Sequence, residues 1–407
     1  MNNDHMDAIV IGGGAAGFFG AIACAQAHPA KKVALLEKNR QLLSKVRISG
    51  GGRCNVTHAC FDPAVLVHNY PRGHQALRGP FSRFQPQDTI RWFKEKGVEL
   101  KTEEDGRMFP VTDSSETIIH CLTSTAKKAG VQVRTECGIE KITREDQRFS
   151  LSLTNGSTLS CEKLLVATGS TPKMYSLLQE LGHTIVSPVP SLFTFNVPDS
   201  PLLELAGVSV PKVEVRIVDT DLKQTGPLLL THWGFSGPAV LKLSAWGARI
   251  LHDKHYQAEM CINWLPHMKI ESLHHCLNAF KTQNPAKFIA TECPVDLPKN
   301  LWKKFTQMAG IAPETRWSHF SKTQLNALQN ILLKGTFCIK GKSTFKEEFV
   351  TCGGVHLDEV NFKTMESKKC PGLYFAGEVL DIDGVTGGFN FQNAWTTGWI
   401  AGQSMFT

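Results

Sequence analysis

The chain opens with a glycine-rich turn between a short apolar strand, residues 8–11, and a helix of small residues. The glycines are spaced as Gly-x-Gly-x-x-Gly. In this pattern the first glycine permits a tight turn, the second lets a pyrophosphate approach the backbone, and the third lets helix and strand pack closely. The N–H groups at the start of the helix then bind the phosphates. The opening therefore predicts a dinucleotide site, and its phosphate-binding residues are Gly12, Gly14, Ala15, Ala16 and Gly17.

A second apolar strand, residues 33–36, ends in Glu37 and Lys38. A carboxylate at this position can accept hydrogen bonds from both hydroxyls of an adenosine ribose. Residues 9–27 carry no charged side chain. A stretch of this length could also be a membrane span or a signal sequence. Asp4 and Asp7 stand where a signal peptide would carry positive charge, and five glycines interrupt the stretch. These features argue against a signal peptide and a membrane span. At the end of the second strand, the predicted cofactor-binding residues are Glu37 and Lys38.

Composition limits the classes of function. The 407 residues are 42% hydrophobic, and 44 Lys and Arg against 37 Asp and Glu give a net charge of +7. No run of basic residues suggests a nucleic-acid arm, so we expect no nucleic acid and no membrane as partners. Twelve cysteines without a CxxC pair or zinc-like spacing favour a reduced, cytoplasmic protein. The sequence predicts no metal site, because His274, His275 and Cys276 fit one helix.

Three consecutive glycines follow the second strand, within the stretch 44–55. Such a run is a poor interior for a helix or a strand, which favours a loop whose backbone approaches something flat or bulky. Arg53, Cys54 and Asn55 offer polar groups beside it. A flexible surface loop is the competing interpretation. The cofactor-binding residues predicted here are Ser49, Gly50, Gly51 and Gly52.

Further along, residues 149–153 and 158–161 alternate around Asn155-Gly156, a strong hairpin signal. A buried strand then begins at residue 164 and ends in small residues. The cofactor-binding residues predicted at this end are Ala167, Thr168 and Gly169. Prolines cluster where the composition shifts, which places a domain boundary near residue 190. Strands at 208–218 and 228–230, a turn at 231–238 and a helical pattern over 270–334 follow.

The last segment resembles the opening. Residues 349–355 and 372–378 form apolar strands, the second ending in Gly377 and Glu378, and a glycine-rich turn then leads into a helix. The helix N-terminus near residues 390–393 can face a partial negative charge.

The N-terminal phosphate loop, the strand ending in Ala-Thr-Gly, and Gly-Leu-Tyr-Phe-Ala-Gly-Glu near the C-terminus together resemble two-domain FAD flavoproteins of the succinate dehydrogenase type. The resemblance implies that Glu378 binds the ribityl chain and that the helix start faces the N1/O2 edge of the flavin. The cofactor-binding residues so predicted are Gly377, Glu378, Gly388, Asn390, Phe391 and Gln392.

Four longer motifs narrow the resemblance: Ile-Ser-Gly-Gly-Gly-Arg-Cys-Asn, Thr-His-Trp-Gly-Phe-Ser-Gly-Pro, Val-Thr-Cys-Gly-Gly-Val, and Gly-Glu-Val-Leu-Asp-Ile-Asp-Gly followed by Thr-Gly-Gly-Phe-Asn. The set is similar to the BaiN-type family of NAD(P)/FAD-dependent oxidoreductases, also called aminoacetone-oxidase-family FAD-binding enzymes. One departure is Cys352, where a small residue such as alanine is usual. This residue leaves two interpretations open, a thiol that takes part in chemistry and an unreactive buried thiol.

The family implies an α/β fold: a Rossmann-like, two-dinucleotide-binding FAD domain, interrupted by an inserted β-barrel-like plus helical domain. The predicted bounds are 1–190 for the first part of the FAD domain, 191–342 for the insert and 343–407 for the second part. Within the insert, residues 191–266 are expected to be mainly β and residues 267–335 mainly helical.

The predicted function is that of an FAD-dependent oxidoreductase passing hydride or electrons between a small molecule and a partner such as NAD(P)H or oxygen. Since no second Gly-x-Gly-x-x-Gly is found, NAD(P)H is expected only as a transient donor. A flavoprotein acting on RNA and a non-catalytic redox sensor are the alternatives, and the oligomeric state stays open. The predicted catalytic residues are Arg53, Asn55, His232 and Ser236. Arg107 is a weaker candidate.

Overall fold

A computed structural model describes residues 4–343 and 350–407. The contacts divide the chain into two compact units, Met1–Val189 with Lys346–Thr407, and Pro190–Phe345. Residues 344–349, within the predicted second part of the FAD domain, lie outside the described residues. Phe349 of the motif at 349–355 is one of them.

The strands, in chain order, are β1 Asp4–Ile11, β2 Val33–Leu36, β3 Thr57–His58, β4 Leu100–Thr102, β5 Arg107–Pro110, β6 Gln132–Arg134, β7 Ile139–Glu145, β8 Arg148–Leu153, β9 Thr158–Val166, β10 Ile185–Ser191, β11 Phe195–Asn196, β12 Ser209–Ile217, β13 Lys223–Thr231, β14 Gly234–Ser236, β15 Gln257–Asn263, β16 Gly335–Lys340, β17 Val350–Val355, β18 Val360–Asn361, β19 Glu366–Ser367 and β20 Leu373–Phe375. The helices are α1 Ala15–Ala27, α2 Ser44–Gly52, α3 Pro63–Leu66, α4 His74–Arg83, α5 Pro86–Glu95, α6 Ser115–Lys128, α7 Pro172–Glu180, α8 Pro238–Trp246, α9 Ala248–Asp253, α10 Ile270–Gln283, α11 Lys299–Met308, α12 Lys322–Lys334 and α13 Phe389–Ser404.

The first unit is built on a parallel sheet whose central strands run in the order β20-β9-β1-β2-β6. Ile9 of β1 lies opposite Ala34 of β2 and Leu164 of β9. All three side chains are fully buried, as expected for a parallel sheet covered on both faces. Because these strands are parallel, β1, β2 and β9 end at one edge, where the glycine loop, Glu37 and Thr168 follow.

Strand β9 corrects one prediction. Residues 158–161 and 164–169 were expected as two separate strands, but Thr158–Val166 is a single strand. One edge of it pairs parallel with β1 along nearly its whole length. On the other edge the first half pairs antiparallel with β8 and the second half pairs parallel with β20. Glu162 and Lys163, which interrupt the apolar pattern, are only half-buried at the point where the pairing changes.

The first and last helices of this unit pack with their backbones in close approach. A Cβ on Gly398 of α13 would lie 2.6 Å from the Ala16 carbonyl oxygen of α1. One on Gly402 would lie 2.3 Å from the Gly20 carbonyl oxygen. Only glycine permits this distance, so these residues allow the close contact of α1 with α13.

The second unit contains an antiparallel sheet in the order β11-β14-β13-β12-β15-β16. The ends of β11 and β16, the first and last strands, are joined by hydrogen bonds. The Asn196 amide donates to the Gly341 carbonyl at 3.0 Å, and the Ser343 amide donates to the Thr194 carbonyl at 3.1 Å. The sheet therefore closes into a barrel.

The helical pattern predicted over 270–334 is three helices, α10, α11 and α12, with a non-helical stretch at 284–298 that contains three prolines. On α11, Leu301 and Phe305 are buried and lie one helical turn apart. Met308, at the end of the helix, is 36% exposed.

A buried polar cluster in the first unit has the outline of a Ser-His-acid triad. His183 Nδ1 lies 2.9 Å from Glu359 Oε2, and its Nε2 lies 3.0 Å from Ser367 Oγ. Ser367 Oγ, however, accepts hydrogen bonds from the Lys369 and Cys370 amides at 3.0 and 2.8 Å. All three triad-like side chains are buried, so the cluster is structural and not nucleophilic.

This cluster predicts acid sensitivity. Burial lowers the pKa of His183 below its ordinary 6.5. Burial alone would raise the pKa of Glu359, but hydrogen bonds from Lys369, Thr184 and His183 outweigh it and lower the pKa from 4.5 to about 2. The stabilisation from His183 is complete above pH 6.5, that from Glu359 above pH 4.5, and both are lost as the pH falls further. Urea unfolding at pH 7, 5.5 and 4 should show a steady loss of stability, and Glu359→Gln should show a weaker loss below pH 4.5. An identical pH slope in the two proteins would contradict the assignment.

Among residues 4–343 and 350–407, none of the helices combines the length and the apolar character that a membrane crossing needs. The same residues contain no group of three or more His, Cys, Asp or Glu side chains able to hold a metal ion.

Candidate cofactor and active site

The glycine loop between β1 and α1 has the tight geometry that its spacing predicts. Gly12 has φ +112°, and a Cβ there would lie 2.4 Å from the Ala167 carbonyl oxygen at the end of β9. A Cβ on Gly17 would lie 1.8 Å from the Gly12 carbonyl oxygen. Both positions require glycine, and they draw the helix start against the sheet.

Gly14 differs from its neighbours in facing open space. A Cβ built on it meets no atom within 4 Å, and no side chain in the described chain caps α1 at this residue. Gly14 and Ala15 are only half-buried. The first N–H groups of α1 and the positive end of its dipole are therefore open to an anion, which fits the pyrophosphate of a dinucleotide.

Glu37 has a second role that the sequence analysis missed. Its carboxylate accepts hydrogen bonds from the Gly13 amide at 2.8 Å and the Asn39 amide at 2.9 Å. It thus joins the glycine loop to the turn after β2 and holds the loop in shape. Lys38 is exposed beside it. The contact of Glu37 with a ribose stays a prediction.

The three glycines form the end of α2, but the backbone departs from helical geometry there. Ser49 is extended, with ψ 146°, while Gly50 and Gly51 have φ of 59° and 68°. Gly51 and Gly52 are exposed, and a Cβ built on either would meet no atom within 4 Å. A Cβ on Gly50 would lie 2.8 Å from the ring of Phe109. The backbone of this loop can be approached by a flat group, as the sequence predicts.

Asn55 connects this loop to the last helix. With its amide oriented to satisfy both partners, Asn55 donates to the Thr57 carbonyl and accepts from the Gly388 amide, each at 3.0 Å. Gly388 precedes the first turn of α13, and a Cβ there would lie 2.5 Å from the Thr57 carbonyl oxygen. Asn390 likewise exchanges two hydrogen bonds with the Gly384 backbone, at 2.8 and 2.9 Å. Both asparagines shape the glycine-rich turn that presents the start of α13.

The first turns of α13 contain both satisfied and unsatisfied polar groups. Gln392 is fully buried and accepts hydrogen bonds from Thr57 at 2.6 Å and Thr89 at 2.9 Å. Its side chain is therefore engaged within the protein. Phe391 is half-buried and stacks on Trp395. Asn393 is 2% exposed, and its Oδ1 has no hydrogen-bond partner among the described residues. Buried polar atoms are rarely left unpaired, which fits a bound group at this helix start.

Glu378 brings together segments that are far apart in sequence. Its carboxylate accepts hydrogen bonds from the Thr351 amide at 2.9 Å and from Lys45 Nζ at 2.6 Å. A Cβ on Gly169 would lie 3.7 Å from Glu378 Oε2. Gly377 has φ +74° beside Ala16 of α1. Glu378 and the end of β9, both predicted cofactor-binding, are thus neighbours. Lys45 was missed, although it lies in the same motif as the three glycines.

Arg53 is held in an ionic cluster on β4 and β5. Its guanidinium lies 2.6 Å from Glu103 and 3.5 Å from Asp113, and 4.0 Å from the centre of the Phe109 ring. Arg107 shares Glu103 at 3.0 Å. The hydrogen bond to Glu103 raises the pKa of Arg53, so it stays cationic. Both carboxylates lie against one guanidinium nitrogen of Arg53, and its catalytic role stays a prediction.

His232 and Ser236 belong to the second unit, in the hairpin formed by β13 and β14. Thr231 Oγ1 exchanges two hydrogen bonds with the Gly234 backbone, both at 3.1 Å, and fixes the turn. His232 is exposed and Ser236 half-buried. Their catalytic role stays a prediction.

The twelve cysteines are present as free thiols. Cys54, beside Arg53, is completely buried, and burial raises the pKa of its thiol to about 12. Cys352 is also completely buried. A thiol with a raised pKa is a poor nucleophile, which favours a packing role for Cys54 beside the loop.

A model of the HI0933-like protein Rossmann domain matches residues 6–404. The chain belongs to this family. The predicted fold is confirmed, namely a Rossmann-type FAD domain in a mixed α/β chain with a barrel-like sheet, and so is the predicted class of enzyme. The family consists of FAD-dependent oxidoreductases, which is the resemblance that the four long motifs indicate.

Alignments with related proteins cover nearly the whole chain. A ribosomal RNA dihydrouridine synthase of Escherichia coli is 32% identical over 99% of this chain and 98% of its own. A 3-dehydro-bile acid delta(4,6)-reductase of Clostridium scindens is 26% identical over 97% of this chain and 98% of its own. Among solved structures, a 3-ketosteroid-delta4-(5alpha)-dehydrogenase of Rhodococcus jostii matches with a TM-score of 0.52 at 14% identity, covering 99% of this chain and 97% of that one. The structural match supports the fold alone.

Proposed function

We propose that this enzyme uses FAD to reduce a carbon–carbon double bond conjugated to a carbonyl group. The observation that carries the proposal is the end-to-end likeness to two reductive enzymes whose names imply the same bond change. Dihydrouridine is uridine with its 5,6 double bond saturated, next to the C4 carbonyl. A delta(4,6) 3-keto bile acid presents the same conjugated arrangement. At the 5,6 bond of uridine, and at the 4,5 bond of the bile acid, a hydride adds at the carbon β to the carbonyl and a proton at the α carbon.

The residues at the site fit FAD in three places. The start of α1 beyond Gly14 is open to the pyrophosphate, the carboxylate of Glu378 lies beside Gly169, and Asn393 leaves a buried oxygen unpaired. When bound, FAD supplies the hydride chemistry. The protein supplies position: Asn55 holds Gly388, which orients the positive end of the α13 dipole toward the bound group.

Between the two substrate classes we propose uridine in ribosomal RNA. The relative named for that reaction is 32% identical, against 26% for the bile acid reductase. This proposal departs from the expectation of a small-molecule substrate and no nucleic-acid partner, which depended on the absence of a basic run. We keep NAD(P)H as the proposed transient donor and, given the free thiols, the cytoplasm as the proposed location.

The test begins with the purified holoenzyme under anaerobic conditions. NADH or NADPH should bleach the flavin band, and reoxidation should follow on adding ribosomal RNA that lacks dihydrouridine. Nucleoside mass spectrometry of that RNA should then show new dihydrouridine. If a conjugated 3-keto steroid reoxidises the reduced flavin and ribosomal RNA does not, the substrate is a small molecule and not RNA. A flavin that no reductant bleaches would contradict enzymatic turnover and favour the redox-sensor alternative.

A further inference from the structure

The positive charge of the chain is concentrated in the second unit. Residues 190–345 carry seventeen Lys and Arg against eleven Asp and Glu, whereas the remaining residues carry twenty-seven against twenty-six. A cationic unit without a long basic run can still attract a polyanion.

Within this unit, residues 285–289 and 315–318 form a two-stranded ribbon, which we call the Phe288 ribbon. The Ile289 amide donates to the Thr315 carbonyl at 3.0 Å, and the Trp317 amide donates to the Lys287 carbonyl at 2.9 Å. Phe288 and Arg316 form a bridge between the two segments. The backbone of the ribbon is thus fixed by hydrogen bonds although it lies between helices.

Two tryptophans support the ribbon from beneath. Trp302 of α11 donates its indole N–H to the Ile289 carbonyl at 2.8 Å. Trp317 is completely buried and packs against Phe280 and Phe320, with ring centres 5.0 and 5.3 Å apart. The exposed side chains of the ribbon are therefore held on a rigid base.

The outer face presents an aromatic ring together with cations. Phe288 is 40% exposed, and the Arg316 guanidinium lies 5.7 Å from its ring centre. Lys287 and His319 are exposed close by in the chain. Lys287 also lies 3.4 Å from Glu292, an exposed pair that contributes little. An exposed ring beside Arg316, with Lys287 at the next position of the strand, suits single-stranded RNA, which proteins bind through base stacking and contacts to phosphate.

We propose that the Phe288 ribbon is an RNA-binding platform on which an unpaired base stacks on Phe288 while Arg316 and Lys287 contact the adjacent backbone. The proposal rests on the proposed function, because it supplies the contact through which an RNA substrate is held. Charge complementarity favours RNA as the occupant: the unit is cationic, and the ring offers a face that any base can use.

The test measures the affinity of the FAD-loaded protein for ribosomal RNA that lacks dihydrouridine. Phe288→Ala should weaken binding about 5- to 100-fold, the range for one stacked base, while Phe288→Tyr should retain most of the affinity. Arg316→Gln should reduce the slope of log affinity against log salt by about one. Phe61→Ala is the matched control, because Phe61 is 45% exposed in the first unit; its affinity should equal that of the wild type. Bleaching of the flavin by the nicotinamide donor should be unchanged in every variant.

The outcomes separate the two proposals. If the wild type forms dihydrouridine and Phe288→Ala binds and reduces RNA equally well, the platform is wrong while the proposed function stands. If the wild type neither binds nor reduces ribosomal RNA but reoxidises with a conjugated steroid, both the RNA substrate and the platform are wrong. Equal losses in Phe288→Ala and Phe61→Ala would show a non-specific effect of removing surface rings and would overturn the platform.

Discussion

A Gly14→Val variant is expected to fold normally and to bind FAD about 100-fold more weakly, since about 3 kcal/mol of hydrogen bonding to phosphate would be lost. Gly14 has φ −92° and ψ −171°, an extended conformation that valine adopts without strain. Because a Cβ there meets no protein atom within 4 Å, the new side chain would occupy only the space through which the pyrophosphate approaches. FAD titration of the flavin-free protein, with thermal unfolding of the same sample, measures both properties.

Gly17→Ala provides the contrast. Its Cβ would lie 1.8 Å from the Gly12 carbonyl oxygen, so this variant should lose about 1–3 kcal/mol of folding stability, the usual cost of overpacking. Gly14→Val should leave the unfolding free energy within about 0.5 kcal/mol of the wild type. Wild-type FAD affinity in Gly14→Val would show that the phosphates bind elsewhere.

Asp383→Asn is expected to lower the melting temperature by about 6 to 20 °C, because removing one partner of a buried ion pair costs about 3–5 kcal/mol. The Asp383 side chain is fully buried and accepts a hydrogen bond from Arg72 Nε at 2.5 Å, with a second one from the same guanidinium. An amide cannot balance that charge. Asp383 also begins the turn that leads through Gly384 to α13, so FAD occupancy should fall with stability.

Asp358→Asn is the matched control, since the Asp358 side chain is 93% exposed and its replacement should leave the melting temperature unchanged. Differential scanning calorimetry of the three proteins at neutral pH makes the comparison. A melting temperature of Asp383→Asn within about 2 °C of the wild type would mean that the pair contributes no net stability.

The sequence predicted those parts of the fold that depend on neighbouring residues. The strand at 33–36 has the predicted bounds, and the hairpin around Asn155-Gly156 forms as expected. The two pieces expected at 158–161 and 164–169 are one strand, because its partners change along its length and Glu162 breaks the apolar pattern there. No local signal reports a change of partner.

The site divides in the same way. Glycines such as Gly12 could be identified because a tight turn and a close approach demand one residue type at a fixed spacing. The pairing of Lys45 with Glu378 and the hydrogen bond of Asn55 to Gly388 could not, since each joins positions more than three hundred residues apart. The ion pairs of Arg53 with Glu103 and Asp113 could not be identified either, because their partners lie 50 and 60 residues further along the chain.

The glycine contacts between α1 and α13 have a consequence for biosynthesis. The helix that follows the phosphate loop emerges from the ribosome early, but the helix it packs against is translated only after the entire second unit. The central strand β9 must likewise wait for β20. The second unit, whose barrel strands and helices lie within one continuous stretch of chain, can complete its contacts first. Until α13 arrives, the nascent chain exposes the apolar, small-residue surface of α1, and this is the interval in which a chaperone would have something to bind.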